Sequence, residues 1–292
     1  MDAMNQLNEH FAIPGLRFEL GSGGLTRAVI ESTVARGEVY LHGAHVTQYQ
    51  PNDQAPVLWM SEKSIFEVGK PIRGGVPICF PWFGANPKDA NAPAHGVART
   101  TLWNVVASSR LADGGIGLTL SASIGGFSLR YQADFGKVLR LCLTVECLNS
   151  ATEPLTFEAA LHTYLRVSDI QQISILGLES FDYIDKVGDT TKRTATRQPI
   201  QFTSETDRIY QETKGTCELR DPGLKRKISI EPSNARSTIV WNPWIEKSAR
   251  MTDFGDDEWS GMVCIETANV GDQAIKLEAG ESHSVEARIV SL

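Results

Sequence analysis

The dominant period of hydrophobic and polar positions along the chain is two. In Ile116–Ala122, Ile116, Leu118, Leu120 and Ala122 share one side, and Gly117, Thr119 and Ser121 the other. Lys137–Asn149 repeats the pattern over a longer span, with Leu139, Leu141, Leu143, Val145 and Cys147 inside. Such alternation marks strands with one buried face. Arg27–Val34 and Glu38–Gln50, rich in Val, Thr and Tyr and broken by glycines, predict strands joined by tight turns. Further strands are predicted at Ile173–Leu178, Asp182–Lys186, Thr216–Leu219, Lys227–Ile230, Thr238–Trp241, Met262–Glu266 and His283–Val290. Only Met1–Phe11 and Trp244–Met251 have a helical pattern, and both are short. Many strands at close intervals with few helices predict an all-β sandwich or barrel. No compositional break, linker or internal repeat divides the chain, so a single domain over residues 1–292 is expected.

The same alternation picks out a candidate for chemistry. In Leu155–Val167 the odd positions are apolar except for Thr163, and the even ones are Thr156, Glu158, Ala160, His162, Tyr164 and Arg166. His162 therefore falls on the face opposite the core, in a His/Tyr/Arg set that suggests a cleft rather than ordinary surface. Glu266 is a second candidate. It ends the nearly continuous apolar run Met262–Ile265, the type of strand covered on both faces. A carboxylate there is costly unless it is paired or lies at the mouth of a cavity, and partial desolvation makes it a stronger base. The bland alternatives are a structurally hydrogen-bonded histidine and a glutamate tied to an amide or an arginine.

One stretch has no period. Lys70–Trp103 contains Pro71, Pro77, Pro81, Pro87 and Pro93, which remove donors from any ladder, and the pair Gly74-Gly75. Ile78, Phe80, Trp82 and Phe83 supply apolar surface to anchor it. An anchored irregular segment carrying Arg73, His95 and Arg99 reads as the rim of a binding site. Guanidinium groups suit carboxylate or phosphate, so an anionic small molecule is the expected ligand.

Composition narrows the field. The chain has 292 residues and a formal net charge of -7, with both signs mixed along its length. No basic stripe is present, so neither nucleic acid nor anionic membrane is an expected partner. The N-terminus lacks the basic start and apolar stretch of a signal peptide, and no apolar run is long enough to cross a bilayer, so a cytoplasmic location is expected. The five cysteines (Cys79, Cys142, Cys147, Cys217, Cys264) are scattered without a C-x-x-C. They suit a reducing compartment and form no recognisable metal site, so no metal is expected.

Taken together, the motifs PIRGGVPICFPWFG (71–84), AHGVAR (94–99), LHTYLRVSDI (161–170), TDRIY (206–210), WNPW (241–244) and VCIETANV (263–270) resemble the hexose-6-phosphate mutarotases of the aldose 1-epimerase family. GAHVTQYQP (43–51), VLWMS (57–61) and YIDKV (183–187) extend the resemblance over nearly the whole chain. It implies a large β-sandwich of the galactose-mutarotase-like type with the site in a concave face. It further implies that the chain interconverts α and β anomers of a sugar phosphate, chiefly glucose 6-phosphate, as a monomer without a cofactor. The family's acid corresponds to His162, its base to Glu266, its phosphate-binding pair to Arg73 and Arg99, and its sugar-hydroxyl ligands to His95 and Asp207. Where some relatives carry Gln before the HG pair, this chain has Ala94, so one polar substrate contact is expected to be missing or supplied from elsewhere.

The chemistry suits these residue types. Anomer exchange needs a base to take the O1 proton while an acid protonates the ring oxygen O5, with the transfers reversed on closure. Trp82, Phe83 and Trp241 are candidates to stack on the sugar, with core packing as the alternative. Two rival readings stand beside this one: a mutarotase for neutral aldoses, and a carbohydrate-binding sandwich without turnover. A neutral sugar needs no paired guanidinium groups, and a binding module needs no acid–base pair.

Overall fold

In the computed structural model, which describes residues 3–188 and 190–292, the alternating segments form antiparallel sheets. The rear eight-stranded sheet runs, in spatial order, through Ser174–Leu176, Cys217–Asp221, Arg226–Ser233, Ser282–Ser291, Leu139–Cys147, Phe127–Phe135, Ile116–Ile124 and Asn104–Arg110. The front sheet, also eight-stranded, runs through Thr191–Arg193, Tyr183–Asp185, Thr206–Gln211, Ser237–Asn242, Met262–Asn269, Ala159–Leu161 and Ile78–Cys79, with Tyr164–Arg166 also pairing on Met262–Asn269. A four-stranded meander, Leu16–Leu20 to His45–Pro51, and the pair Leu155–Phe157/Ile275–Leu277 complete the β-structure.

The inward faces of front and rear sheets share one core. Leu118, Leu129, Tyr131, Leu141, Leu143 and Val285 from the rear meet Ile78, Leu161, Leu165, Val263 and Ile265 from the front, and Phe80 and Phe157 join the same core. Burial of such side chains contributes roughly 1.5–3 kcal/mol each, the main favourable term holding the layers together. The all-β sandwich expected from the sequence is what forms.

Several boundaries differ from expectation. Glu38–Gln50 is divided between Ala35–Tyr40 and His45–Pro51 by a turn in which Ala44 takes φ 47°. Leu155–Val167 is three strands, interrupted at Glu158 and again at His162-Thr163. Phe127–Phe135 was not anticipated, although its odd positions are all buried. Neither was Thr206–Gln211, which carries Asp207. The C-terminal helix is only Trp244–Ser248. The N-terminal helix spans Ala3–Phe11, while Met1 and Asp2 lie outside the described residues. Among the described residues no helix is long and apolar enough to cross a membrane.

Met262–Asn269 is buried at every position, as its apolar run requires. Val263 and Ile265 point into the main core. Met262, Cys264 and Ala268 point the other way, into a second apolar cluster with Trp59, Tyr164, Ile239 and Trp241. That second face is where the candidate site lies.

Candidate active site

Sheet register alone brings His162 to Glu266. Leu161 pairs with Thr267 and Tyr164 with Cys264, so the interrupted position His162 falls opposite Glu266. At the interruption Thr163 turns its carbonyl to the Ile265 amide, and its hydroxyl donates to the Leu161 carbonyl. The polar exception on the apolar face is thereby satisfied. The row continues across the sheet, with Glu266 opposite Ile239 and Ile239 opposite Ile209. One step along, Asp207 pairs with Trp241, Trp241 with Cys264, and Cys264 with Tyr164. Side chains two apart on a strand share a face, so both rows project to the same side.

That side opens into a cavity of about 580 Å³ lined by Arg73, Phe83, His95, Glu158, His162, Lys186, Asp207, Trp241, Lys247 and Glu266 among others. The size lies within the usual range of small-molecule sites. At its floor His162 Nε2 lies 3.3 Å from Glu266 Oε1, and the two residues are 6 % and 1 % exposed. His162 Nδ1 and Glu266 Oε2 are buried with no partner among the described residues. Burial is the largest influence on both groups. It holds His162 well below the usual histidine range, helped by His95, Arg99 and Arg73. It holds Glu266 well above the usual carboxylate range, with Asp207 adding and Arg99 opposing. Both shifts favour the uncharged forms, a neutral imidazole beside a protonated carboxyl.

The aperiodic segment forms one wall. The His162 amide donates to the Pro77 carbonyl and the Tyr164 amide to the Gly75 carbonyl, which stitches the RGGVP run along Ala159–Leu161 and Tyr164–Arg166. Only glycine fits at the turn. At Gly74 (φ 113°) a Cβ would lie 2.6 Å from the Met60 Cα, and at Gly75 (φ 59°) 2.2 Å from the Val46 carbonyl oxygen. His45, fully buried, lies 2.7 Å through Nε2 from the Gly74 carbonyl oxygen. Burial pushes its pKa down to about 3, so it is neutral and donates this bond.

Arg73 emerges from the turn into the cavity. Its Nε donates to Asp253 Oδ2 at 3.1 Å, its Nη2 lies 3.0 Å from the same oxygen, and its Nη1 donates to the Tyr164 hydroxyl at 2.9 Å. Burial alone would lower its pKa, but Tyr164 and Asp253 raise it. Arg99 lies outside the residues lining the cavity. Its Nη2 donates to the Ala94 carbonyl at 2.7 Å, and burial together with the Arg73 charge lowers its pKa. His95 lines the cavity with a left-handed backbone (φ 64°), its ring 5.6 Å from that of His162. Burial pushes its pKa down to about 3, with Arg99 and Arg73 adding to the shift. Asp207 lies on the facing wall, its carboxylate 3.8 Å from Lys247 Nζ. Burial raises its pKa against the pull of Lys247 and Lys186.

The structure thus gathers five of the six expected residues around one cavity, with Arg99 outside its lining. Phe83 and Trp241 line it, but Trp82 does not; its Nε1 donates to the Pro93 carbonyl instead. Glu158 had drawn no role from the sequence. Its two oxygens accept from the amides of Phe83 (2.8 Å) and Gly271 (2.6 Å), tying two walls of the cavity together. Its place among the even positions of Leu155–Val167 was the available signal. Among the described residues one set able to hold a metal ion, His162, Cys264 and Glu266, has ligand atoms within 4.8 Å of one another. It includes the buried His162–Glu266 pair.

The family profile described as Aldose 1-epimerase matches residues 30–290. The chain belongs to the aldose 1-epimerase family. A Cenchrus ciliaris relative that carries the provisional name glucose-6-phosphate 1-epimerase is 32% identical over 88% of this chain and 83% of its own length. The crystal structure of a provisionally named mutarotase from Salmonella typhimurium superposes with a TM-score of 0.88 at 27% identity, covering 96% of this chain and 94% of that one. Galactose 1-epimerase from Lactobacillus acidophilus shares the fold at a TM-score of 0.68, with 13% identity over 95% of this chain and 98% of its own. This epimerase therefore has the galactose-mutarotase-like β-sandwich, with the cavity opening on its front sheet.

Proposed function

We propose that this epimerase interconverts the α and β anomers of hexose 6-phosphates, chiefly glucose 6-phosphate, the whole chain acting as a single catalytic unit. One observation carries the reading: His162 and Glu266 are buried opposite each other, and each keeps one unpartnered polar atom at the floor of a sugar-sized cavity. O1 and O5 of a cyclic aldose are bonded to the same carbon, so a base for one and an acid for the other must stand close together. A separation of 3.3 Å meets that demand.

Glu266 is the base at O1 and His162 the acid at O5. In the reactive arrangement Glu266 is ionised and His162 protonated. Removal of the O1 proton and donation to O5 leave a protonated Glu266, a neutral His162 and an open-chain aldehyde. Rotation about C1–C2 and closure on the other carbonyl face reverse both transfers. Net charge on the pair is zero before and after, so each half-reaction moves protons without leaving an uncompensated charge in the buried floor. The uncharged form that burial favours has the proton inventory of the open-chain stage. Asp207 and His95 orient the ring through its hydroxyls.

Arg73 and Arg99 take the phosphate. Arg73 retains at least one N–H on each terminal nitrogen, enough for a two-pronged contact. Arg99 spends only Nη2 on Ala94, and its other donors have no partner among the described residues. The name of the Cenchrus ciliaris relative supports this substrate. The test is polarimetry of freshly dissolved α-anomers. Faster relaxation of glucose 6-phosphate than of glucose is expected, and equal acceleration of both would favour a neutral-sugar mutarotase.

A further inference from the structure

Arg73 and His162 lie on different segments and serve different ends of the substrate, yet both rest on Tyr164. The Tyr164 hydroxyl accepts from Arg73 Nη1 at 2.9 Å. Its ring stacks on the His162 imidazole at 4.8 Å between centroids and 14° between planes, and on the Trp59 indole at 5.7 Å and 21°. Tyr164 is 1 % exposed, and its backbone is fixed on both sides. Its amide donates to Gly75, its carbonyl accepts from the Trp59 amide, and it pairs with Cys264. Asp253, in the loop after the Trp244–Ser248 helix, grips the other edge of the same guanidinium. Phe254, its neighbour, anchors that loop by packing on Trp59 at 4.9 Å.

From this arrangement we infer that Tyr164 is a positioning residue with two separable duties. Its hydroxyl, together with Asp253, aims the guanidinium of Arg73 at the anionic group of the substrate, and its ring sets the plane of the acid His162. The inference rests on the proposed role of Arg73 as an anion ligand. A guanidinium on a long, flexible stem loses side-chain entropy on binding unless it is already held, and fixing two of its edges beforehand removes that cost. The hydroxyl matters only for a substrate that uses Arg73, whereas the ring matters for every substrate that His162 protonates.

Three variants separate these duties: Tyr164→Phe, which keeps the ring and deletes the hydroxyl, Tyr164→Leu, which removes both, and Arg73→Leu. Each is assayed with glucose 6-phosphate and with glucose. Tyr164→Phe is expected to lower kcat/KM for glucose 6-phosphate about three- to tenfold, chiefly through KM, the scale of one net hydrogen bond. It should leave glucose turnover unchanged and should add nothing in an Arg73→Leu background. Tyr164→Leu is expected to lower kcat for both sugars. If Tyr164→Phe matches wild type on glucose 6-phosphate while Arg73→Leu is impaired, the hydroxyl has no positioning role, and the inference fails while the proposed function stands. If Tyr164→Phe lowers both sugars equally, the residue is merely structural and the inference again fails. If Arg73→Leu itself fails to discriminate between the sugars, the phosphate reading falls, and this inference with it. Circular dichroism and the melting temperature of Tyr164→Leu identify a folding defect. In that event Tyr164→Phe, alone and combined with Arg73→Leu, decides the matter.

Discussion

The two large sheets of this epimerase solve different problems with the same alternating pattern. In the rear sheet the central strands are nine or ten residues long, and Ile116–Ile124, Phe127–Phe135 and Leu139–Cys147 pair in unbroken register. None of the proposed site residues lies there. The front sheet breaks its strands into pieces of two or three residues at Ile78–Cys79, Ala159–Leu161 and Tyr164–Arg166. His162 falls in one of those breaks and Glu266 directly across from it. Regular ladders satisfy every backbone group within the sheet, which gives stability but little freedom to aim a side chain. A break opens a position and must be repaid by local bonds such as those of Thr163 and Pro77.

If that division of labour holds, substitutions in the two sheets have separable effects. The largest is expected from His162→Asn and Glu266→Gln, which remove a proton carrier while nearly preserving shape. Each should lower anomerisation about 10²–10⁴-fold, with the melting temperature little changed. Activity close to wild type in either variant would remove that residue from the mechanism. The rear sheet should behave in the opposite way. Leu143→Ala removes a fully buried side chain from the shared core and should cost about 2–5 kcal/mol of stability, measured by urea unfolding. The rate per folded molecule should stay unchanged. A comparable loss of rate at low urea would mean that the rear sheet also tunes the site.

How legible this was in the sequence depends on whether periodicity governed the residue. His162 stands out because alternation places a side chain on a face without knowledge of its partners, and Glu266 because a carboxylate ends a continuous apolar run. That they meet depends on a register between segments far apart in the chain, which no local pattern encodes. His45 looked like one more position in a strand, and its bond to Gly74 depends on how the meander packs against the turn. Asp253 lies in a loop without period, so nothing local marks it as the partner of Arg73. Arg99 was correctly placed in an anchored segment, but that its guanidinium would turn to the Ala94 carbonyl was not readable. Leu155–Val167 reads as one strand because its alternation is interrupted only at Thr163 among the odd positions. The breaks at Glu158 and His162 come from tertiary bonds to Phe83, Gly271 and Pro77, which outweigh local preference.

A smaller and more selective effect is expected at the rim. Arg73→Leu and Arg99→Leu should each cost about 1.5–3 kcal/mol in kcat/KM for glucose 6-phosphate, the scale of hydrogen bonds to a charged group. Free glucose should be nearly unaffected. The penalty should be larger for Arg73, which lines the cavity, and raised salt should weaken the phosphorylated substrate selectively. Equal impairment of both sugars would make the arginines structural.

The smallest change is expected on varying pH. Because burial lowers His162 and raises Glu266, a second proton enters the pair only well below the ordinary histidine value of about 6.5, and the shared proton leaves only well above the ordinary glutamate value of about 4.3. The two shifts widen the pH interval in which the pair holds one proton, so kcat should vary less around pH 6.5 than it would with a solvated histidine. An inflection in kcat near pH 6.5 would show His162 titrating as a solvated histidine.

The most direct measurement is exchange NMR between the anomeric resonances of α- and β-glucose 6-phosphate, with and without the protein and with Glu266→Gln. The account predicts strong exchange with wild type, an exchange rate near the uncatalysed one with Glu266→Gln, and much weaker enhancement when glucose replaces glucose 6-phosphate. Exchange undiminished in Glu266→Gln, or no enhancement by wild type, would contradict it.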